Sequence, residues 1–500
     1  MTDQPTRFMR PFNARRGGLS ALALAALVAL SACSQMPLYE RPAAPVPSQW
    51  PQAGENMAAT ASDAGTQAAV AADLAWDTYF ADPALRQLIP LALASNRDLR
   101  VAVLSMEQAR AQLGLRQADQ WPTVNATVAG SRTPTSSGGI ASTYTGGLVV
   151  SAYEVDFFGR VASLKEQALA QYLATQEGST SARISLVATV AQSWMSLLAD
   201  TELLRLTEQT LTTREATLRL VKLRFDNGVA SELDWRTADS LVQSARATLA
   251  QQQRQRALDE NALALLLGQP VPADLKAQLN STAQSSGPNG GLAALQLPEL
   301  PAGLPSDVLT RRPDIRQAEH QLMAANANIS AARAAFFPRI SLTLGVGSAS
   351  NELSGLFKNG SWGFTLAPQL LAPIFDAGRN QANLDGAQAA RDVAVAQYEK
   401  AIQSGFREVA DALAGRETLA RQRQALVAQA ESEAARLRLA ELRYQSGAAS
   451  QLDWLDAQRS LFAAQQAAVQ VQLAYLQNQV ALYKALGGGV IQMGKNQKNS

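Results

Sequence analysis
His320 is the single histidine and Cys33 the single cysteine among 500 residues. Nucleophilic triads built on Ser-His or Cys-His, and zinc sites built on clustered Cys and His, therefore lack partners. Gly487-Gly488-Gly489 closes a helical pattern and does not follow a strand, so it is not a phosphate loop. Carboxylates are numerous, but no pair is set apart for acid–base work. The sequence thus predicts no enzyme, no metal site and no cofactor. One covalent chemistry remains. Arg7, Arg10, Arg15 and Arg16 precede an apolar run from Leu19 to Leu30, which reads as a secretory signal too short to span a bilayer. An exported chain with one cysteine cannot form an internal disulfide, and thioether acylation accounts best for a thiol placed just after that run.

Leu30-Ser31-Ala32-Cys33 also resembles the lipobox of bacterial lipoproteins, with Ser34 where Asp would favour inner-membrane retention. Residues 1–32 are read as a signal peptide and 33–75 as an acylated tether; Met36 to Ser62 is rich in Pro and Ala and has no period that buries a face. Removing four Arg and one Asp with the signal takes the formal charge from +2 to −1. A nearly neutral mature chain argues against a nucleic-acid partner. A composition that is 47% hydrophobic and 17% charged fits a globular or a membrane-associated protein.

The chain is internally repeated. Leu218 to Trp235 and Leu437 to Trp454 share eleven of eighteen positions at an offset of 219, and Gly159-Arg160 and Gly378-Arg379 fall at the same offset. Residues 76–280 form a first repeat and 306–487 a second, separated by a Ser, Gly and Pro-rich segment, 281–305, read as a linker rather than a packed element; 488–500 is a tail.

Proline, which costs a helix interior about 3 kcal/mol, is absent from Thr135 to Gln269 and from Ile374 to Ser500. Both stretches are dense in Ala, Leu, Gln, Arg and Glu at helical spacing. A helix from Val161 to near Phe225 would be a rod of about 100 Å, and a twin follows Gly378-Arg379 and runs to Tyr444. Each stops at a tip glycine, Gly228 or Gly447, and restarts at Ser231 or Ser450. Ahead of each rod the period becomes two. Ile340 to Gly347 and Trp362 to Ala367 alternate apolar with small or polar residues; Val124, Ala126 and Val128 do so less strongly, and Thr143 to Phe157 is a strand with blurred alternation.

Such strands fit transmembrane β-structure, and rods of this length cannot fold back over the sheet to cover it. Four strands cannot close a barrel, so the chain must oligomerise; two copies would supply eight strands and three would supply twelve.

The whole mature chain resembles the TolC-like outer membrane factors of tripartite efflux pumps, in the lipoprotein branch typified by OprM. The marks are Arg311-Arg312-Pro313-Asp314-Ile315-Arg316-Gln317-Ala318-Glu319, Phe158-Gly159-Arg160, Phe375-Asp376-Ala377-Gly378-Arg379 and Leu455-Asp456-Ala457-Gln458-Arg459-Ser460-Leu461. The resemblance implies a mixed α+β membrane protein, a homotrimer whose four strands per chain make a twelve-stranded barrel, continued by a periplasmic α-helical barrel. It implies a passive exit duct for small toxic compounds, lipid-anchored in the outer membrane. Its partners would be a periplasmic adaptor and an inner-membrane transporter, commonly of the resistance-nodulation-division class.

It further implies that Asp453 and Asp456 form a periplasmic gate and selectivity ring, and that Tyr444 reaches Asp234 of the neighbouring hairpin in the closed duct. Ala449 stands where some relatives carry a basic residue. Asp453 equally suits a helix start, and Asp234 a first helical turn. Trp235 and Trp454 read as packing residues, Trp121, Trp362 and Phe364 as an interfacial belt, and Arg160 and Arg379 as structural hydrogen-bonding groups. Two other functions fit the pattern less well: a duct for type I protein secretion, and a non-conducting coiled-coil rod in the periplasm.

Overall fold
The computed structural model describes residues 39–47, 50, 74–136, 138–284, 291–300 and 311–488. Cys33, the signal region and most of the tether lie outside the described residues. The helices are α1 (Pro83–Ser95), α2 (Arg97–Ala118), α3 (Arg160–Asp226), α4 (Glu232–Leu267), α5 (Ala273–Gln284), α6 (Pro313–Ala334), α7 (Arg379–Gln445) and α8 (Gln451–Ala485). The strands are β1 (Val124–Pro134), β2 (Ile140–Val155), β3 (Arg339–Ser350) and β4 (Trp362–Leu371). Both rods are present: α3 and α7 have 67 residues each, hence about 100 Å of helix. Among the described residues no helix is long and apolar enough to cross a membrane.

The chain divides into two compact units. One comprises Gln108–Leu173 and His320–Ala396 with the N-terminal segment to Pro42. It holds a single antiparallel sheet in the order β1-β2-β3-β4. Register sorts the side chains by face. Val124, Ala126 and Val128 share one face with Leu148, Val150, Leu344, Val346, Phe364 and Leu366, while Asn125, Thr127, Thr145, Thr343, Thr365 and Gln369 share the other. The apolar face is uncovered: Val128 is 83% and Phe364 80% exposed.

β2 is longer than the Thr143 to Phe157 expected, beginning at Ile140 and ending at Val155. Its blurred alternation has a cause. The register slips between Val150 and Tyr153, where Ala152 takes a left-handed φ of 51° and donates its N–H to Thr343 Oγ1 at 3.2 Å. Such a bulge restores the apolar residues Tyr153 and Val155 to the face of Val150.

The second unit comprises Ala43–Glu107, Ala174–Glu319 and Gln397–Ser500. Its core joins Leu85, Leu88 and Ile89 of α1, Leu197 and Leu198 of α3, Leu263 and Leu267 of α4, Val409 of α7 and Val480 and Tyr483 of α8. Tyr79 stacks on Tyr483 at 4.3 Å and gives its hydroxyl to the Gln479 carbonyl at 3.1 Å; Tyr483 gives its own to the Leu74 carbonyl at 2.9 Å. Both buried phenols are thereby satisfied.

Of the segment 281–305 read as a linker, residues 281–284 and 291–300 are described, and these are packed. α5 continues to Gln284, a 3-10 turn spans Gly291–Ala294, and Leu292, Leu295 and Leu300 are buried in the core. Glu202 Oε2 accepts the Leu292 N–H at 3.1 Å and Arg416 donates to the Leu300 carbonyl at 3.0 Å. Leucines spaced among the turn residues supply enough apolar area to anchor a segment whose composition resembles a loop.

Arg312, in the Arg-Arg-Pro-Asp motif, is 5% exposed. Its guanidinium reaches both oxygens of Asp314 at 3.0 and 2.7 Å, Glu408 of α7 at 2.7 Å and the Ala485 carbonyl at the end of α8 at 2.9 Å. One planar fork thus ties the start of α6, the middle of α7 and the end of α8. Arg312→Ala strands Glu408 and the last carbonyls of α8, and is expected to destabilise the chain by about 2 kcal/mol; a chemical-unfolding midpoint equal to wild type would contradict this.

Asp200 on α3 is buried with its Oδ2 unpartnered; burial first, and the facing Asp259 of α4 second, push its carboxyl up to about 7. An acid raised in the folded state contributes stability that is complete below its unfolded pKa of about 4 and is lost as pH rises through the folded value. The apparent melting temperature of the wild type should therefore decline over roughly pH 4 to 7, between the unfolded and folded values, and Asp200→Asn should flatten that decline. Equal slopes for the two proteins would refute the assignment.

Candidate functional site
The tips of the two helical hairpins carry the predicted gate residues, and their backbone explains why the rods turn there. Gly228 and Gly447 adopt φ of 71° and 76°. This left-handed conformation lets the Val229 N–H return to the Arg224 carbonyl, and the Ala448 N–H to the Arg443 carbonyl, both at 2.8 Å. The next helix then starts on a reciprocal cap. Ser231 Oγ accepts the Asp234 N–H while Asp234 accepts the Ser231 N–H, and Ser450 and Asp453 repeat the exchange.

This geometry decides between the readings of two carboxylates. Asp453 is exposed, yet Oδ2 accepts from the Ser450 hydroxyl at 2.7 Å and its N–H at 3.1 Å. The hydroxyl contact above all, and the N–H with it, hold the Asp453 carboxyl below the usual range. Asp234 is engaged identically with Ser231. Within the chain Tyr444 and Asp234 are therefore not brought together. The Tyr444 hydroxyl instead accepts from Arg224 Nη1 of the other hairpin, and its ring stacks on Trp454 at 5.0 Å. Phe225 stacks on Trp235 at 5.5 Å in the equivalent place.

Asp456 is half-buried and doubly paired: Arg436 donates to Oδ2 at 2.7 Å and Arg459 donates to Oδ1. The hydrogen bond from Arg436 leads in lowering its carboxyl below the usual range. Within the single chain Asp453 is thus a helix cap and Asp456 an ion-paired acid between two arginines. Sequence reasoning missed Arg224, Arg436 and Arg459. Arg459 sits one helical turn after Asp456, and Arg436 and Asp456 are equally distant from Ser446 at the turn of an antiparallel hairpin, so both pairs were legible from spacing.

The hairpins meet just behind the tips. Val221 of α3, Ala238 of α4 and Leu455 of α8 form a small buried cluster with Trp235 against it. Farther along, Arg214 is buried, donates to the Leu241 carbonyl at 3.0 Å and lies over the Phe462 ring at 5.2 Å. Trp235 and Trp454 are thus packing residues, as expected.

Ser450→Ala removes the acceptor for the Asp453 N–H while leaving the turn intact, a loss of about 1 kcal/mol. Amide exchange in the first turn of α8 should accelerate about fivefold; unchanged exchange would show that the cap does not hold the tip.

Comparison with known proteins accords with this geometry. A family model described as outer membrane efflux protein matches residues 88–269 and 304–488. The toluene efflux pump outer membrane protein TtgC of Pseudomonas putida is 47% identical over 478 residues, covering 94% of this chain and 95% of that protein. Outer membrane protein OprJ of Pseudomonas aeruginosa is 45% identical over 482 residues, covering 94% and 96%. The crystal structure of the open state of the MtrE outer membrane channel of Neisseria gonorrhoeae matches with a TM-score of 0.80 at 41% identity, covering 92% of this chain and 99% of that one. With likeness of sequence and fold extending over nearly all of its length, this chain belongs to the outer membrane efflux protein family.

Proposed function
We propose that three copies of this chain assemble into an outer-membrane exit duct that passively conducts small toxic compounds out of the cell. The observation that carries this reading is the sheet: four antiparallel strands with an exposed apolar face and unpaired outer edges on β1 and β4, in a chain of an efflux family. Three copies give twelve strands, an even number that closes and removes every edge. Lipid then covers Val128, Phe364 and Trp362, and thioether acylation at Cys33 adds an anchor to the outer membrane.

α3, α4, α7 and α8 of the three copies form the helical tunnel below. Its tips meet a periplasmic adaptor, which couples the duct to an inner-membrane transporter of the resistance-nodulation-division class. The gate lies at the tip turns Gly228 and Gly447. Tyr444, held by Arg224, keeps the resting tips together, while Asp234 and Asp453 cap the turns and Asp456 is paired within its hairpin; opening frees Asp456 from Arg436 and exposes acid to the lumen. The cargo class follows the relative named for toluene efflux: small and apolar enough to threaten membranes.

Three measurements test the reading. The purified protein in mild detergent should have the mass of a trimer and conduct ions in a planar bilayer; a silent monomer would sink it. Deleting the gene should raise sensitivity to solvents, dyes, detergents or antibiotics, restored by the wild-type gene, whereas unchanged sensitivity with a missing secreted protein would point to secretion. Tyr444→Phe keeps the stack on Trp454 but loses the contact with Arg224, and should raise single-channel open probability several-fold, as expected for loss of one charge-assisted hydrogen bond of about 1.5 kcal/mol.

A further inference from the structure
At the end of the sheet where the strands pass into the long helices, Glu154 of β2 sits between two arginines. Arg160, the first residue of α3, grips it with both arms, Nε to Oε1 at 2.8 Å and Nη2 to Oε2 at 2.6 Å. That bidentate pair already neutralises the carboxylate. Arg339, the first residue of β3, adds a single contact to Oε2 at 2.8 Å. The three side chains differ in exposure: Glu154 is 19% exposed, Arg160 28% and Arg339 54%. Within this trio the arginines outnumber the carboxylate by one, Asp156 and Asp119 act on Arg160 rather than on Arg339, and Arg339 is the most exposed of the three.

Register fixes the direction. Glu154 pairs with Ser341 and Arg339 with Leu371, which places both on the face of Thr343, Gly345, Thr365 and Gln369, opposite the uncovered apolar face. Of the strand residues on this second face, Glu154 and Arg339 alone are charged; the others are Asn, Thr, Ser, Gly, Ala, Val, Leu and Gln. Asp156 and Asp376, acids on the following turns, are turned onto the starts of α3 and α7, accepting the Ala162 N–H at 2.8 Å and the Asn380 N–H at 2.9 Å. They do not answer Arg339.

We propose that Arg339 sets the charge preference of the duct at the inner mouth of the barrel, where three copies form a ring of net positive charge that favours anionic and neutral solutes over cations. This rests on the trimeric duct proposed above. A fixed ring in a pore with low-dielectric walls acts on every permeating ion, and the rest of this strand face is uncharged, so within the barrel Arg339 acts alone, in series with the acids at the tips.

The test is the potassium-to-chloride permeability ratio of single trimers in a planar bilayer under a salt gradient. Arg339→Gln leaves Glu154 paired with Arg160 and should shift the ratio toward potassium by about two- to threefold, the effect of about one kT of potential. Arg339→Lys should stay near wild type. Glu154→Gln should shift the ratio the opposite way, toward chloride. Opposite shifts from the two sides of one ion cluster are not produced by mere loosening of the sheet. Equal ratios in all variants, or shifts of the same sign in both Gln variants, would overturn the role of Arg339 while leaving the duct standing. Absence of current from wild type would overturn the duct itself and this inference with it.

Discussion
Every backbone N–H and C=O must find a partner, and inside lipid no water is available to supply one. The outer edges of β1 and β4 are unpaired in a single chain, so the sheet is stable in a bilayer only when an edge of one copy meets the opposite edge of the next. That one requirement organises the rest. It makes the barrel a property of the assembly rather than of the chain, and it lets one face be apolar without a core to cover it. It also leaves the helices free of any duty to shield the sheet, so their apolar residues can serve helix-to-helix packing alone.

The two hairpin tips share a backbone and differ in side chains. Glycine at positive φ and a Ser-Asp cap recur at both. Yet Phe225 stands where Tyr444 stands, and Asp456 has no acidic counterpart at Thr237. The shared parts build a turn; of the divergent parts, Arg224 reaching Tyr444 joins one hairpin to the other, and Arg436 reaching Asp456 ties the two arms of the second hairpin. Pairing of this kind costs little to break when exposed.

Much of this was legible before any coordinates. Absence of proline together with helical spacing located α3 and α7 to within about two residues, and strict alternation located β3 and β4. The bulge at Ala152 was not legible as such, because a one-residue slip only weakens a period and leaves no residue type behind. Leu292, Leu295 and Leu300 were hidden by a Ser and Gly-rich context, since composition averages away the few side chains that anchor a segment. Within one chain Asp234 is engaged not by Tyr444 but by a Ser three residues before it, a short-range contact that its spacing made legible. Charge on the luminal face was readable only after register was known, because Arg339 and Glu154 are 185 residues apart.

The bonds of Tyr79 to Gln479 and Tyr483 to Leu74 fasten an early part of the chain to α8, and Arg312 adds a tie from the start of α6 to Ala485. Contacts between residues about 400 positions apart close the largest loops a chain of this size can make, and such loops form late. The helical unit therefore cannot mature while the polypeptide is still emerging into the periplasm: its core has no seat for Tyr79 until α8 has arrived. A chain cut short even by the last turn of α8 would be left with an incomplete socket around Arg312 and an exposed apolar surface, a clear mark by which proteases could recognise an unfinished duct.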